Sequence, residues 1–561
     1  MFRRKTVLLL LLAIILVSLA IRYPLVEHER FQTDSYFIHY LSNDIVRQGR
    51  APWTFSALSY VGYYPFSYPS GVPFVLAELS LLTGLGVDVS ILLIDGILAA
   101  LFSLIVFCLS REFVHRAEFA LLAAFFAVLA PRFVDTTYWV GSARGMEVVL
   151  ITLLVLATFR AGLSQSKRLL VVSGLAGFAC FAVHHMAVLI ILYGIGFVFA
   201  DLAGRYLPRV FQNRGRRWAI ITATFVGVIV MIVALNYFDI LGNSLETIGE
   251  TGFFHFNIPV ISTLGNLLVG YTHQIGLVLV LASLSVATFL KTPRFFVRGV
   301  FPFAAMLAFI PVLGSSIYVS MLLAPFVAIL GVLWLQRLGS SKKTRGGTYT
   351  GIVVILLVLS LTFTVWSVDR WNQTQQPSGD RVEVTNGVFN DATYLKSDWG
   401  GIYAICNAES LGAQFAAYSG VSFLGSGIPA TVNKDVTARD IENNLTFSKA
   451  PFPGNLYSWF IYKDDSLVNR YVFAMMTSGV SVTKGPSANE EFRAYADSHS
   501  NLLVIIDNNW PSKSVGSYGD QSASFPNEVR NCVVSGSDER IQSYSIYESQ
   551  RATIFMVQIP R

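Results

Sequence analysis

Long apolar stretches separated by short polar segments dominate the first two thirds of the chain. A transmembrane helix needs about 20 apolar residues, and about 17 at the lower end of the range. By this criterion the pattern predicts a polytopic α-helical membrane protein with about eleven transmembrane helices. They lie near residues 6–22, 89–110, 117–131, 145–160, 169–184, 186–200, 218–236, 274–290, 299–313, 316–336 and 349–368.

The pattern changes after Trp366, where charge and the content of Asn, Ser and Gly rise. Short apolar stretches such as NLLVIIDN and ATIFMVQIP favour strands, and NEEFRAYADSHS favours a helix. We therefore predict a transmembrane domain at 1–368, with a large first external loop at 23–88. A soluble α/β or α+β domain is predicted at 369–561.

The distribution of Lys and Arg predicts the orientation of the spans. With an internal N-terminus, the internal loops carry 20 Lys and Arg, and the external loops of the membrane domain carry six. This bias is the one that the positive-inside rule requires. The apolar run Gly71–Gly86 is therefore predicted to be an interfacial or half-buried helix, because a further crossing would reverse the bias. The N-terminus is predicted to be cytoplasmic and the C-terminal domain extracytoplasmic.

Composition supports the membrane class. The 561 residues are 53% hydrophobic and 14% charged, whereas soluble proteins carry about 25% charged residues. The net charge of +6 does not point to nucleic acid, because residues 369–561 hold 15 basic against 20 acidic residues. The basic excess belongs to the membrane domain, where it sets topology. The sequence leaves open whether Cys406 and Cys532 form a disulfide in the external domain.

The first external loop carries the first candidate for chemistry. Asp34 stands about a dozen residues after the first span, among aromatic residues that include Tyr36. A carboxylate there could accept a proton from an incoming hydroxyl, orient an amide or hold a divalent cation. The alternative is a solvated loop carboxylate. The tyrosines near Tyr68 are typical of an interface belt, although one or two could also contact a sugar.

The second external loop, PRFVDTTYWVGSARGME, holds Asp135 and Arg144. Asp135 is a candidate for a second carboxylate of the site, and its alternative is an interfacial residue beside aromatic side chains. Arg144 could bind a phosphate, which guanidinium groups do through bidentate hydrogen bonds. It could equally pair with Asp135 or Glu147.

Two later external segments hold further candidates. His184 and His185 lie where one span ends and the next begins, and they could contact a metal ion or a phosphate. Because adjacent helical side chains point about 100° apart, only one of the two is expected to face a site. Glu250 lies in the long fourth external loop. The alternative for each is an ordinary polar residue of an external turn.

Other functional classes receive less support. The sequence has no Walker loop, no GxGxxG motif that enters a helix, no CxxC pair and no GxSxG motif. Ion-coupled transporters usually have several ionisable residues inside their spans, and often an inverted repeat. In this sequence few ionisable residues lie inside the spans, and no inverted repeat is apparent. A lipid flippase and a non-enzymatic scaffold that presents the external domain stay open as alternatives.

Three stretches carry a family resemblance: TDSYFIHYLSNDIVRQGRAPW, YYPFSYPSG and PRFVDTTYWVGSARG. They resemble the GT-C superfamily of membrane glycosyltransferases, which use polyprenyl-phosphate-linked sugars. The superfamily's essential Asp after the first helix corresponds to Asp34, and its second acid corresponds to Asp135. Thr247–Glu250 resembles the TIxE motif of archaeal oligosaccharyltransferases. The resemblance extends to oligosaccharyltransferase catalytic subunits and to protein O-mannosyltransferases.

The chain departs from that family in two motifs. Asp135 is followed by Thr136 and Thr137, without the paired acid of a DxD-type motif. SDWGGIY at 397–403 is only loosely like WWDYG, so recognition of a glycosylation sequon is not supported. Eleven spans instead of thirteen also lean away from a true oligosaccharyltransferase.

The resemblance implies an inverting glycosyltransferase that takes a polyprenyl-phosphate-linked sugar from the membrane. It implies transfer to an extracytoplasmic acceptor, either a protein or a lipid-linked glycan, with Mg²⁺ or Mn²⁺ as a possible cofactor. The predicted site residues are Asp34, Asp135 and Glu250 for catalysis, Arg144, His184, His185, Tyr36 and Tyr68 for substrate and phosphate binding, and Asp34, Asp135 and His184 for the metal ion.

Overall fold

The structure is a computed structural model. It describes residues 4–23, 29, 33–50, 71–114, 116–211, 268–289, 293–309, 316–340, 347–374, 386–398, 403–406, 414–415, 417–419, 422–426, 501–507, 542–549 and 552–558. The predicted span 218–236 lies outside the described residues.

The described part of the chain is mainly helical. Its helices are α1 (Arg4–Ile21), α2 (Thr33–Gln48), α3 (Gly71–Thr83), α4 (Val87–Phe113), α5 (Ala117–Val128), α6 (Pro131–Asp135), α7 (Ala143–Ser164), α8 (Lys167–Val183), a 3₁₀ helix (His185–Leu189), α9 (Ile190–Phe211), α10 (Leu268–Ile275), α11 (Val278–Phe289), α12 (Pro293–Ala308), α13 (Ser316–Ser340), α14 (Gly347–Thr374) and α15 (Asn386–Asp398).

The described helices support a multi-pass membrane protein. Six stretches are long and apolar enough to cross a membrane. They are Arg4–Ile21, Val87–Phe113, Ala143–Ser164, Met186–Ala203, Tyr318–Gly339 and Tyr349–Asp369. The described helices at four other predicted spans are shorter, with 12 residues in α5, 17 in α8, 12 in α11 and 16 in α12. The prediction of eleven spans and the orientation of the termini therefore stay predictions.

Helix α3 corresponds to the apolar run that we predicted to be interfacial. It has 13 residues, so at a rise of about 1.5 Å per residue it is about 20 Å long. That length is well short of a hydrocarbon core of about 30 Å. By length alone, α3 cannot cross the membrane as a single helix.

The helix at the predicted span 274–290 is preceded by a sharp bend. Helices α10 and α11 are bent by 120° relative to one another. The bend occurs at Gly276, whose φ is +101°, a backbone conformation that residues with a Cβ rarely adopt. The apolar pattern concealed this break because Gly276 and Leu277 do not interrupt the hydrophobic run.

The chain forms two compact units. The first comprises Met1–Pro24, Leu93–Trp139 and Ala143–Trp371, and the second comprises Leu25–Leu92, Val140–Ser142 and Asn372–Arg561. The predicted boundary at 368/369, and the external location of the region beyond it, stay predictions.

Helix α13 forms the centre of the first unit. Every residue from Val319 to Leu333 is buried, and the helix packs against α5, α7, α11 and α12. A helix that is apolar on all sides is stable only when other helices or lipid surround it. The Tyr193 hydroxyl donates to the carbonyl oxygen of Leu322 at 2.6 Å and links α9 to α13.

The second unit contains a five-stranded sheet with the strand order β2-β1-β3-β5-β4. Its strands are β1 (Tyr403–Cys406), β2 (Ser422–Ser426), β3 (Asn501–Asp507), β4 (Gln542–Glu548) and β5 (Ala552–Gln558). β1 pairs in parallel with β2 and β3, whereas β5 pairs antiparallel with β3 and β4. The stretches NLLVIIDN and ATIFMVQIP, predicted as strands, form β3 and β5. Helix α2 packs against α3 in the same unit.

We predict that Gly196→Ala destabilises the first unit. A Cβ at Gly196 of α9 would lie 3.1 Å from the Cα and 3.2 Å from the backbone nitrogen of Ala305 on α12. Small residues permit such close backbone approach between membrane helices. Since backbone atoms cannot rotate away, we expect a loss of about 1–3 kcal/mol. Thermal unfolding of the purified protein in detergent measures it.

Gly194→Ala is the matched control for this prediction. It lies on the same helix, and a Cβ there would meet nothing within 4 Å. Both variants receive the same gain in helix propensity, about 1 kcal/mol. Equal unfolding temperatures for the two variants would contradict the close packing of α9 against α12.

Candidate active site

The loop between α5 and α7 positions Asp135. Pro131 begins the short helix α6 at a position where a missing backbone N–H costs nothing. Asp135 is the last residue of this helix, and Thr136 closes it. Trp139 has a φ of +53°, which turns the chain before α7 begins at Ala143. Local sequence therefore fixes where the predicted carboxylate lies.

Asp135 forms a buried ion pair with Arg132. The Arg132 Nη1 donates to the Asp135 Oδ2 at 2.8 Å, and Asp135 is only 6% exposed. Burial lowers the pKa of Arg132, the Asp135 charge opposes that shift, and the nearby Arg144 charge adds to it. The guanidinium groups of Arg132 and Arg144 therefore lie close enough to influence each other.

Arg144 and His184, both predicted phosphate ligands, converge on the ring of Tyr318. The guanidinium carbon of Arg144 lies 5.1 Å from the centre of this ring, and the His184 ring lies 5.5 Å from it. The three residues come from the start of α7, the end of α8 and the start of α13. We call this set the Tyr318 cluster. Arg144 and His184 thus lie against the same ring, and their roles as phosphate ligands stay predictions.

His184 also contacts Glu147. Its Nδ1 lies 3.1 Å from the Glu147 Oε2 and 3.1 Å from the backbone nitrogen of Met186. One nitrogen cannot accept from Met186 and donate to Glu147 at the same time. The neutral Nδ1 caps the 3₁₀ helix, whereas the protonated Nδ1 pairs with the carboxylate. The contact that is made therefore depends on whether Nδ1 carries a hydrogen, as it does in the neutral Nδ1–H tautomer and in the imidazolium.

Arg22 and Thr137 form a hydrogen bond that the sequence did not predict. The Arg22 Nε donates to the Thr137 Oγ1 at 2.7 Å, and the Arg22 Nη1 donates to the Ser18 Oγ at 2.7 Å. Burial lowers the pKa of Arg22, and the charge of Asp95 opposes the shift. Thr137 stands where a DxD-type motif would have its second acid, and here it anchors the end of α1 to the second loop.

Asp34 is the second residue of α2, so the loop predicted around it begins a helix at Thr33. Its side chain is outside the described part of the structure. Tyr36, predicted to contact substrate, is fully buried, and its hydroxyl donates to the carbonyl oxygen of Glu29 at 3.2 Å. The roles of both residues stay predictions.

Glu29 and His39 form a second buried pair that the sequence analysis did not assign. The His39 Nδ1 lies 2.6 Å from the Glu29 Oε2. The Ser35 hydroxyl donates to the other carboxylate oxygen of Glu29. The spacing of Ser35 and His39, four residues apart on α2, puts both on one face of the helix. That spacing is the signal that could have revealed them.

Two of the predicted site residues, Glu250 and Tyr68, lie outside the described residues. His185 begins the 3₁₀ helix, and its side chain lies outside the described part of the structure. Their roles stay predictions.

The described residues do not bring together a metal site. No group of three His, Cys, Asp or Glu side chains suited to a metal ion occurs among them. Asp135 and His184 instead contact Arg132 and Glu147. Metal binding by Asp34, Asp135 and His184 stays a prediction, and no reaction step below depends on it.

Several solved structures share the fold of this chain, although no protein-family model and no curated protein matches its sequence. The Archaeoglobus fulgidus oligosaccharyltransferase in complex with zinc and sulfate is 13% identical with a TM-score of 0.52, over 89% of this chain and 68% of that one. The same enzyme, AglB, with an inhibitory peptide and a dolichol-phosphate is 13% identical with a TM-score of 0.51, over 90% and 69%.

A third structure matches over nearly the whole length of both chains. Apo ArnT from Cupriavidus metallidurans is 12% identical, with a TM-score of 0.51, and the match covers 98% of this chain and 97% of that one. At these sequence identities the matches show a shared fold. The resemblance seen in the first and second external loops is therefore confirmed at the level of fold.

Proposed function

We propose that this protein is an inverting glycosyltransferase of the membrane. It transfers a sugar or glycan from a polyprenyl-phosphate-linked donor to an extracytoplasmic acceptor, which is a protein or a lipid-linked glycan. The shared GT-C fold supports the class. The observation that carries the proposal is the Tyr318 cluster, because it joins a guanidinium group and an imidazole at one end of the helices α7 and α13.

The Tyr318 cluster suits the phosphate of such a donor. Arg144 is the second residue of the 22-residue helix α7, and the N-terminal end of a helix attracts anions through its backbone N–H groups and dipole. A guanidinium group binds phosphate through two parallel hydrogen bonds. A protonated His184 would add a second positive charge at the Tyr318 ring.

Asp34 is proposed as the carboxylate that activates the acceptor. It accepts the proton of the acceptor hydroxyl, or orients an acceptor amide, as the acceptor atom bonds to the anomeric carbon. The bond from that carbon to the phosphate oxygen breaks at the same time. Direct displacement inverts the anomeric configuration, and polyprenyl phosphate leaves with the bonding electrons. Preorganised charge at the phosphate stabilises the leaving group.

The other predicted residues and the cofactor are part of the proposal. Asp135 is the second acid, Glu250 closes over the acceptor, and Tyr68 and His185 contact substrate. Mg²⁺ or Mn²⁺, held by Asp34, Asp135 and His184, would neutralise phosphate charge when bound. A structural neighbour, the Archaeoglobus fulgidus oligosaccharyltransferase, was crystallised with zinc. The related complex that contains dolichol-phosphate and a peptide supports the kinds of partner proposed here.

A lipid flippase is the rival proposal. It would bind the same sugar-linked lipid at the Tyr318 cluster and move it across the bilayer without breaking a bond. A scaffold that only presents the external domain is the third possibility, and it would need neither the buried arginines nor the histidine.

We predict that Asp34→Asn abolishes turnover in nanodiscs supplied with a panel of polyprenyl-phosphate sugars. The amide cannot accept the acceptor proton, so release of polyprenyl phosphate should fall by about 10²–10⁴-fold. Mass spectrometry of the lipid product measures release.

Asp44→Asn is the matched control on the same helix. Asp44 accepts a hydrogen bond from the Gln48 side chain at 3.0 Å and pairs with Arg47, so its loss is expected to leave turnover unchanged. Full activity of Asp34→Asn would move the catalytic role to another residue.

We predict that Arg144→Gln raises the KM for the donor. Loss of a charged hydrogen bond costs about 1.5–3 kcal/mol, which corresponds to about a 10- to 100-fold change. Initial rates over a range of donor concentrations measure it. Arg160→Gln is the control, because Arg160 lies near the other end of α7 and pairs with Glu112 at 2.6 Å. An unchanged donor KM for Arg144→Gln would show that Arg144 does not bind the donor phosphate.

A further inference from the structure

A buried carboxylate and imidazole lie beside the first turns of α2. Glu29 is 0% exposed and His39 is 3% exposed, and the His39 Nδ1 lies 2.6 Å from the Glu29 Oε2. The Ser35 hydroxyl donates a hydrogen bond to the other carboxylate oxygen of Glu29. Both oxygens of Glu29 therefore receive a hydrogen bond, and the Nδ1–H tautomer of His39 is the one that satisfies this geometry.

Such a pair fixes position more than it adds stability. Removing charges from water is costly, and well-packed apolar residues often replace a buried ion pair without loss of stability. A fully hydrogen-bonded polar network nevertheless selects one arrangement of its members, because each bond is directional. The Glu29–His39 pair therefore helps to fix the position of α2.

The network reaches the residue next to Asp34. The Ser35 Oγ also accepts from the backbone N–H of Gly141 at 2.6 Å. A Cβ at Gly141 would lie 3.1 Å from the backbone oxygen of Ser35, so the two backbones are nearly in contact. Hydrogen bonds thus run from His39 through Glu29 and Ser35 to Gly141, and they hold the helical turn that contains Asp34.

Tyr418 of the C-terminal region contacts the imidazole ring of His39. The ring of Tyr418 meets His39 edge-on, with 5.0 Å between the ring centres. One helical turn further along α2, the Asn43 Nδ2 donates to the carbonyl oxygen of Ala417 at 2.7 Å. Burial raises the pKa of Tyr418, and the Glu29 charge adds to the rise, so the phenol stays neutral. His39 is thereby enclosed between Glu29 and a segment far away in sequence.

We propose that His39, held by Glu29 and by Tyr418 of the C-terminal region, is a positioning residue for the transfer reaction. It sets the place of α2 and so of Asp34, and it acts without touching substrate. This inference rests on the proposed function, because it concerns the carboxylate assigned to the acceptor. It also gives the C-terminal region a part in the reaction.

Two substitutions of His39 and one control test the proposal. His39→Phe keeps a ring but removes the donor to Glu29, whereas the amide of His39→Asn can restore that donor. Leu41→Ala is the control, since Leu41 is buried on the same helix and lies outside the hydrogen-bonded network.

We expect His39→Phe to lower kcat by about 10- to 100-fold, the loss that a misplacement of about 1 Å can cause. The donor KM should stay unchanged, and His39→Asn should recover most of kcat. Leu41→Ala should lower the unfolding temperature and leave kcat per folded molecule unchanged. Equal kcat losses in His39→Phe and Leu41→Ala, or no rescue by His39→Asn, would overturn the positioning role.

Hydrogen exchange of the α2 amides separates this inference from the proposed function. In His39→Phe the amides of residues 35–40 should exchange faster than in the wild type and in His39→Asn. If the wild type turns over no donor, the proposed function fails, and the exchange rates still report whether the pair holds α2. Unchanged exchange in His39→Phe would contradict the inference whatever the turnover.

Discussion

Polar groups that leave water inside or beside a bilayer need partners within the protein, and the arrangement of this chain depends on that constraint. Around the loop between α5 and α7, every buried charge described above contacts an opposite charge or a hydrogen-bonding group. Arg132 pairs with Asp135, His184 lies against Glu147, and Arg22 donates to Thr137 and Ser18. These contacts tie the ends of α1, α6, α7 and α8 to defined positions. The geometry of the Tyr318 cluster follows from them.

The same constraint makes the cluster suited to an anion. Groups already fixed by pairing need no reorganisation when charge develops on a leaving phosphate, which is the main source of electrostatic stabilisation in enzymes. Arg144 lies at the start of a long helix and over an aromatic face, where its charge is held in place. In the second unit, the Glu29–His39 pair applies the same principle to α2. Paired buried groups thus organise both the Tyr318 cluster and the helix that carries Asp34.

The helical membrane class could be predicted from the sequence, because the length of an apolar run follows directly from the thickness of the membrane. Arg144 and His184 could be chosen because polar residues gather in the predicted external segments. Tyr318 was missed, since an aromatic residue at the start of a span is typical of an interface belt. The partner of Arg22 was missed because a hydrogen bond across more than 100 residues, as from Arg22 to Thr137, leaves no local pattern. The bend at Gly276 depends on a backbone angle that hydropathy does not report.

Stereochemistry at the anomeric carbon tests the central claim most directly. The purified wild-type protein in nanodiscs would receive a polyprenyl-phosphate sugar of known anomeric configuration, together with candidate acceptors. NMR of the glycosylated product and mass spectrometry of the lipid would follow the reaction. The account predicts free polyprenyl phosphate and a product of inverted configuration. A donor that binds and crosses the bilayer with its sugar–phosphate bond intact, or a product of retained configuration, would contradict it.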